Sequence, residues 1–168
     1  MGLVEPAVVL FIECLAVLFW FSYMDVSTKK IPNRHLFVAL LIALFSVLIT
    51  GHLIEHLVLH LSAIGFTGVT ACVLYRIGAI GGGDLKLLLV VSFLSPGMTF
   101  VTMADPVLEA VISAGILMMG MLLLGWLYSW HSTERGNLDG TPMTPLIPFL
   151  TLLYVVLQTV GLLSGSLF

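Results

Sequence analysis

The chain has 168 residues, of which 60% are hydrophobic and only 9% are charged, with a formal net charge of −3. A soluble domain of this length carries about a quarter charged residues, because it needs a solvated surface. The composition excludes an ordinary water-soluble globule: there is more apolar side chain than one water-facing core can bury. The small net charge points to no nucleic-acid partner. Cys14 and Cys72 both sit in apolar runs and read as small core hydrophobes, without a disulfide framework. The expectation is an all-α, polytopic membrane protein with about six transmembrane helices and no sizeable soluble domain, residues 1–168 forming a single unit in contact with membrane lipid.

A hydrocarbon layer of about 30 Å calls for roughly 20 apolar residues per helix. In chain order the candidate spans are Leu3 to Met24, Leu36 to Gly51, Leu57 to Ile77, Leu85 to Met103, Val107 to Trp130, and Pro145 to Leu163. The first run has no basic start and no small-residue cleavage site, so it is expected to be retained as a helix. The breaks carry helix-ending residues: Pro32-Asn33, Gly81-Gly82-Gly83, Pro96-Gly97, Pro106, and the stretch from Gly136 to Pro145.

Orientation follows from the basic residues. Lys29, Lys30, Arg34, Arg76, Lys86 and Arg135 all fall in or beside the loops after the first, third and fifth spans. Cytoplasmic loops collect Lys and Arg, which predicts both termini outside and those three loops inside. Glu5, Glu55, Asp105 and Glu109 fall on the other face.

On this topology Asp25 ends the first span and Asp84 begins the fourth, so the antiparallel helices carry both carboxylates at one depth and one face. Two carboxylates held together do not both ionise easily, and one keeps a proton. Such a pair can hydrolyse a peptide bond without a metal: the ionised member activates water while the protonated one polarises the carbonyl. Each aspartate alone would serve equally well as a helix cap.

Three stretches narrow the choice. Asp25 is followed by Ile31-Pro32-Asn33. Asp84 closes Gly81-Gly82-Gly83-Asp84 and continues to Lys86-Leu87. Pro145-Leu146-Ile147-Pro148-Phe149-Leu150 starts the last span. In that order and on those helices, the stretches resemble the type 4 prepilin peptidases, membrane aspartic proteases of the GxGD class. The resemblance spans residues 25 to 150 and implies Asp25 and Asp84 as the catalytic pair. It implies supporting or substrate-binding roles for Gly81, Gly83, Lys86, Ile31, Pro32, Asn33, Pro145, Pro148 and Phe149. Gly81 and Gly83 also have a physical reading, since they free the backbone and leave room for a substrate strand. Lys86 has two readings, a charge that biases the aspartate's ionisation or, preferred here, a side chain that snorkels to the headgroups.

The loop after the first span is too short for the two-CxxC insertion of many bacterial members. The chain looks more like the compact members serving tight-adherence (Flp-type) pili, or the archaeal preflagellin peptidases. The resemblance implies a prepilin-like substrate with a basic leader and a hydrophobic helix, cut at the cytoplasmic face of the cell membrane. Pilus or secretion machinery would be the wider partner. No cofactor is expected; S-adenosylmethionine would enter only with an additional N-methylation activity.

Other polar residues compete for attention. His52-Leu53-Ile54-Glu55-His56 matches the inverted zinc-protease pattern. On one continuous helix His60 would lie about 12 Å from His52, so it is not expected to join, and the segment reads as the polar rim of an outer turn with no metal. Glu13, about 18 Å along the helix from Asp25, is expected to be neutral, hydrogen-bonded and turned into the bundle. It anchors the alternative reading, a non-proteolytic transporter or assembly subunit using membrane acids. Gly65, Gly68, Gly115, Gly120, Gly125, Gly161 and Gly165 read as helix-packing contacts. Trp126, Tyr128 and Trp130 read as an interfacial aromatic belt.

Overall fold

The computed structural model describes residues 6–28, 31–97, 103–133 and 145–165. Among these the protein is 87% helical and has no strand. The helices are α1 (Pro6–Thr28), α2 (Asn33–Ile49), α3 (His52–Glu55), α4 (Leu57–Arg76), α5 (Gly82–Leu94), α6 (Pro106–Thr133) and α7 (Ile147–Gly165). The protein is an all-α, polytopic membrane protein. Three helices, α1, α4 and α6, are long and apolar enough to cross a membrane, and α2 and α7 are shorter apolar helices.

Burial has the inverted character expected in lipid. Large apolar side chains such as Phe37, Phe45, Ile49, Val69 and Met119 point outward, each more than 60% exposed. The buried faces carry small residues, among them Cys14, Ala39, Ala43, Ala63, Ala71 and Ala110. Lipid is as apolar as leucine, so association rests on close packing, which small side chains permit.

α5 is the centre of the bundle. It packs against α1, α2 and α4, while α4 and α7 pack on α6 and α1 packs on α7. Leu87, Leu88, Val90, Val91 and Leu94 of α5 are all at most 3% exposed. The expected fourth span, Leu85 to Met103, is corrected to this 13-residue helix, about 20 Å long. The reason is local: Pro96 has no N–H and pushes the preceding residue out of the helical region, and Ser95 sits at φ −136°, ψ 77°. Residues 98–102 of the expected span lie outside the described residues.

Other expectations change in detail. α1 runs past Met24 to Thr28, so Asp25 belongs to its last turn; Leu3 and Glu5 lie outside the described residues, as do Lys29, Lys30 and Arg135. α4 ends at Arg76 and Gly78 takes φ 77°, a left-handed turn closed by Ala79 N donating to the Leu74 carbonyl at 2.9 Å. Cys72 is exposed rather than buried; Cys14 is buried as expected. Gly65 and Gly115 face open space, so they are not packing contacts, whereas Gly68 meets Leu89 and Gly120 meets Leu153.

Gly120 is the tightest of these: a Cβ there would overlap the Leu153 side chain where α6 crosses α7. Gly120→Val is expected to cost about 1–3 kcal/mol through overpacking, read as a lower thermal-unfolding midpoint in detergent. Gly115→Val, facing open space, is the control that leaves the midpoint unchanged.

Candidate active site

Asp25 and Asp84 line one cavity of about 1000 Å³. Its wall combines Asp25 from α1, Ile31 from the α1–α2 connection, Leu74 of α4, residues 77–84 through the α4–α5 turn, four residues of α6, and Leu146 ahead of α7. The cleft therefore lies where α1, α4 and α6 end and α2, α5 and α7 begin. An up-and-down bundle brings those ends to one side.

Each carboxylate is held at a helix N-terminus. Ile147 N, the first amide of α7, donates to Asp25 Oδ2 at 3.3 Å. Gly81 N, at the N-cap of α5, donates to Asp84 Oδ2 at 2.8 Å. Both aspartates thus cap helices and also face the cleft, so capping and a site role do not exclude one another. A helix N-terminus presents unpaired N–H groups and favours negative charge.

Opposing forces act on Asp84, which precedes the apolar run starting at Leu85. Burial pushes its carboxyl up to about 6, against an ordinary value of 3.8. The Gly81 amide works in the other direction, and the nearby Asp25 adds a further upward push. One cleft therefore holds an acid poised to keep its proton next to a second carboxyl group.

The glycine approach has a steric basis. A Cβ on Gly83 would meet Ile31 at 3.4 Å, one on Gly82 would lie 3.7 Å from the Tyr75 ring, and one on Gly81 would stand 3.1 Å from Asp84 Oδ2. Ile31, Gly81 and Gly83 join the aspartates in the cleft wall. Lys86 Nζ donates to Asn33 Oδ1 at 2.6 Å, tying the second turn of α5 to the start of α2. Pro32 is the N-cap of α2. Pro145 precedes α7, Pro148 sits in its first turn where a missing N–H is harmless, and Phe149 packs on Tyr128 with ring centroids 5.6 Å apart. Pro32, Asn33, Lys86, Pro145, Pro148 and Phe149 do not line the cavity.

The structure adds Gly78, Ile80, Leu122, Gly125, Trp126 and Ser129 to the wall. Trp126 is both a member of the aromatic belt, stacked edge-on against Trp130 at 5.1 Å, and a cleft residue. No local pattern in the sequence marks these residues, because the end of α6 reaches the cleft only through the tertiary arrangement.

The rival residues are elsewhere. Glu13 is outside the cleft, and its buried Oε1 has no hydrogen-bond partner among the described residues. The histidines correct a geometric expectation. His56, at φ −121° and ψ 38°, breaks the helix between α3 and α4, and His52 folds back so that its Nδ1 lies 2.9 Å from His60 Nε2. Among the described residues no group of three His, Cys, Asp or Glu is arranged to hold a metal ion.

A model of the type IV leader peptidase family matches residues 12–164 of the chain. No curated protein and no solved structure matches it.

The Asp84 environment predicts a pH-dependent stability. A carboxyl raised in the folded state stabilises the fold fully below pH 3.8, and that contribution is lost as pH rises through about 6. Wild-type protein should lose several degrees of thermal-unfolding midpoint relative to Asp84→Asn between about pH 4 and 7. A parallel pair of midpoint curves contradicts the assignment.

Proposed function

Since the chain belongs to the type IV leader peptidase family and is a membrane protease of that kind, we propose that it is an aspartic endopeptidase that removes the leader from type IV pilin-like precursors. The observation that carries this reading is the meeting of Asp25 and Asp84, from α1 and α5, in one cleft.

The mechanism uses the two carboxyl groups together. The ionised one takes a proton from water as the water oxygen attacks the scissile carbonyl carbon. The protonated one donates to the carbonyl oxygen, giving a neutral tetrahedral gem-diol. Collapse breaks the C–N bond as the leaving nitrogen gains a proton from the acid that accepted one, and a gem-diol hydroxyl returns its proton to the other carboxylate, which restores the starting pair. The products are a carboxyl end on the leader and a free amine on the mature protein, and no metal or cofactor takes part. Asp84, whose burial favours the protonated form, is the better placed acid at the outset, with Asp25 as the base.

The cleft suits an extended substrate at the membrane rim. Leu74, Ile77, Ile80, Leu122 and Leu146 offer apolar contacts beside the aspartates. Arg34 is the second residue of α2, Arg76 ends α4 and Lys86 lies in the second turn of α5, all at the end of the bundle that carries the cleft. By the positive-inside rule that end faces the cytoplasm of the cell membrane. The basic leader of the precursor then stays in water while its hydrophobic helix remains in lipid. Pilus or secretion machinery receives the product.

Asp25→Asn and Asp84→Asn, tested one at a time with a prepilin in proteoliposomes, should each reduce cleavage at least about a hundredfold. Normal processing by either variant overturns the two-aspartate mechanism. An unchanged thermal midpoint for Asp25→Asn separates lost chemistry from lost fold.

A further inference from the structure

α5 stops inside the bundle, and the way it stops creates a second polar place. The last carbonyls of a helix have no partner within it, and in a hydrocarbon layer irregular backbone survives only where protein or water satisfies it. After α5 the chain offers Ser95 N, which donates to the Val91 carbonyl at 2.8 Å, and then Pro96, which has no N–H to give. A cavity of about 20 Å³ lies at this turn, bounded by Val91, Ser92, Ser95 and Pro96 together with side chains of α4 and α6.

Four hydroxyls line it: Thr67 of α4, Ser92 and Ser95 at the end of α5, and Ser113 of α6. Thr67 and Ser113 are each 2% exposed, and their hydroxyls have no hydrogen-bond partner among the described residues. The other two have committed their protons. Ser92 Oγ donates to the Leu89 carbonyl at 2.9 Å, and Ser95 Oγ donates to the Gly97 carbonyl at 3.2 Å while accepting from Gln158 Nε2 at 3.3 Å. The set therefore offers two unused donors and two oxygens with an acceptor position to spare. That is the complement of one water molecule, which accepts two hydrogen bonds and donates two. The volume agrees, since about 10–15 Å³ open to a water centre is enough for one molecule. Among the described residues no carboxylate lines the cavity, so it lacks the charge a cation would require.

We propose that this cavity is an ordered internal water site, in which one water bridges Thr67 and Ser113 to Ser92 and Ser95 and seals the broken end of α5 within the membrane. The water ties α4, α5 and α6 together at the end of α5 opposite Asp84.

Two methionines on α6 make the site measurable. Met118 lines the cavity and is 3% exposed; Met121, one turn on, is 0% exposed and does not line it. Brief X-ray radiolysis generates hydroxyl radicals from bound water, so a buried methionine is oxidised when water lies beside it. In the intact protein in nanodiscs, Met118 should be oxidised about tenfold faster than Met121, as read by peptide mass spectrometry. Thr67→Val with Ser113→Ala removes both donors and should bring Met118 down by about the same factor. Thr67→Ser, which keeps a hydroxyl, should leave it fast. Equal rates at Met118 and Met121 in the wild-type protein overturn the proposal without any variant, and so does undiminished Met118 oxidation in the double variant.

Discussion

The burial of one short helix organises this protein. α5 has 13 residues, and its apolar face is shut off from lipid by α1, α2 and α4. Its N-terminus is thereby fixed at the rim of the bundle with Asp84 in the first turn, and its C-terminus is fixed in the interior. A longer helix would have spanned the membrane as an ordinary lipid-facing segment. A short one, enclosed on several sides, brings a glycine-rich turn and an acid to a place where other helices end.

The second carboxylate depends on a contact of a different kind. Asp25 lies in the last turn of α1 and accepts from the first amide of α7, while the Thr151 hydroxyl of α7 is shared between its own helix's Ile147 carbonyl at 2.9 Å and the Leu18 carbonyl of α1 at 3.3 Å. The pairing of α1 with α7 thus sets Asp25 just as the enclosure of α5 sets Asp84. The Lys86–Asn33 bond and the packing of Ile31 beside Gly83 connect the two halves. Residues of all three motif stretches serve this assembly, some in the wall of the cleft and others one step behind it.

Much of this was legible in the residues. Apolar runs of membrane length located five of the helices closely, because lipid imposes a length and a composition that a linear reading detects. The two aspartates were legible because glycine, proline and carboxylate patterns flank them. What the sequence obscured was geometry set by backbone breaks. The run from Leu85 to Met103 looks continuous in hydropathy, yet Pro96 ends the helix before it. His52 and His60 look too distant until the chain bends at His56. Gly125 and Trp126 looked like packing and belt residues, because only the tertiary arrangement brings the end of α6 to the cleft.

The central claim is that the two carboxyl groups work as a unit with opposite protonation states. The pH dependence of kcat/KM for leader cleavage tests it most directly, because a pair needing one proton gives two titrating limbs. The account predicts a bell, with activity falling on the acid side as the base is protonated and on the alkaline side as the acid is lost. A single sigmoid rise with no alkaline limb would contradict it, since one carboxylate would then suffice.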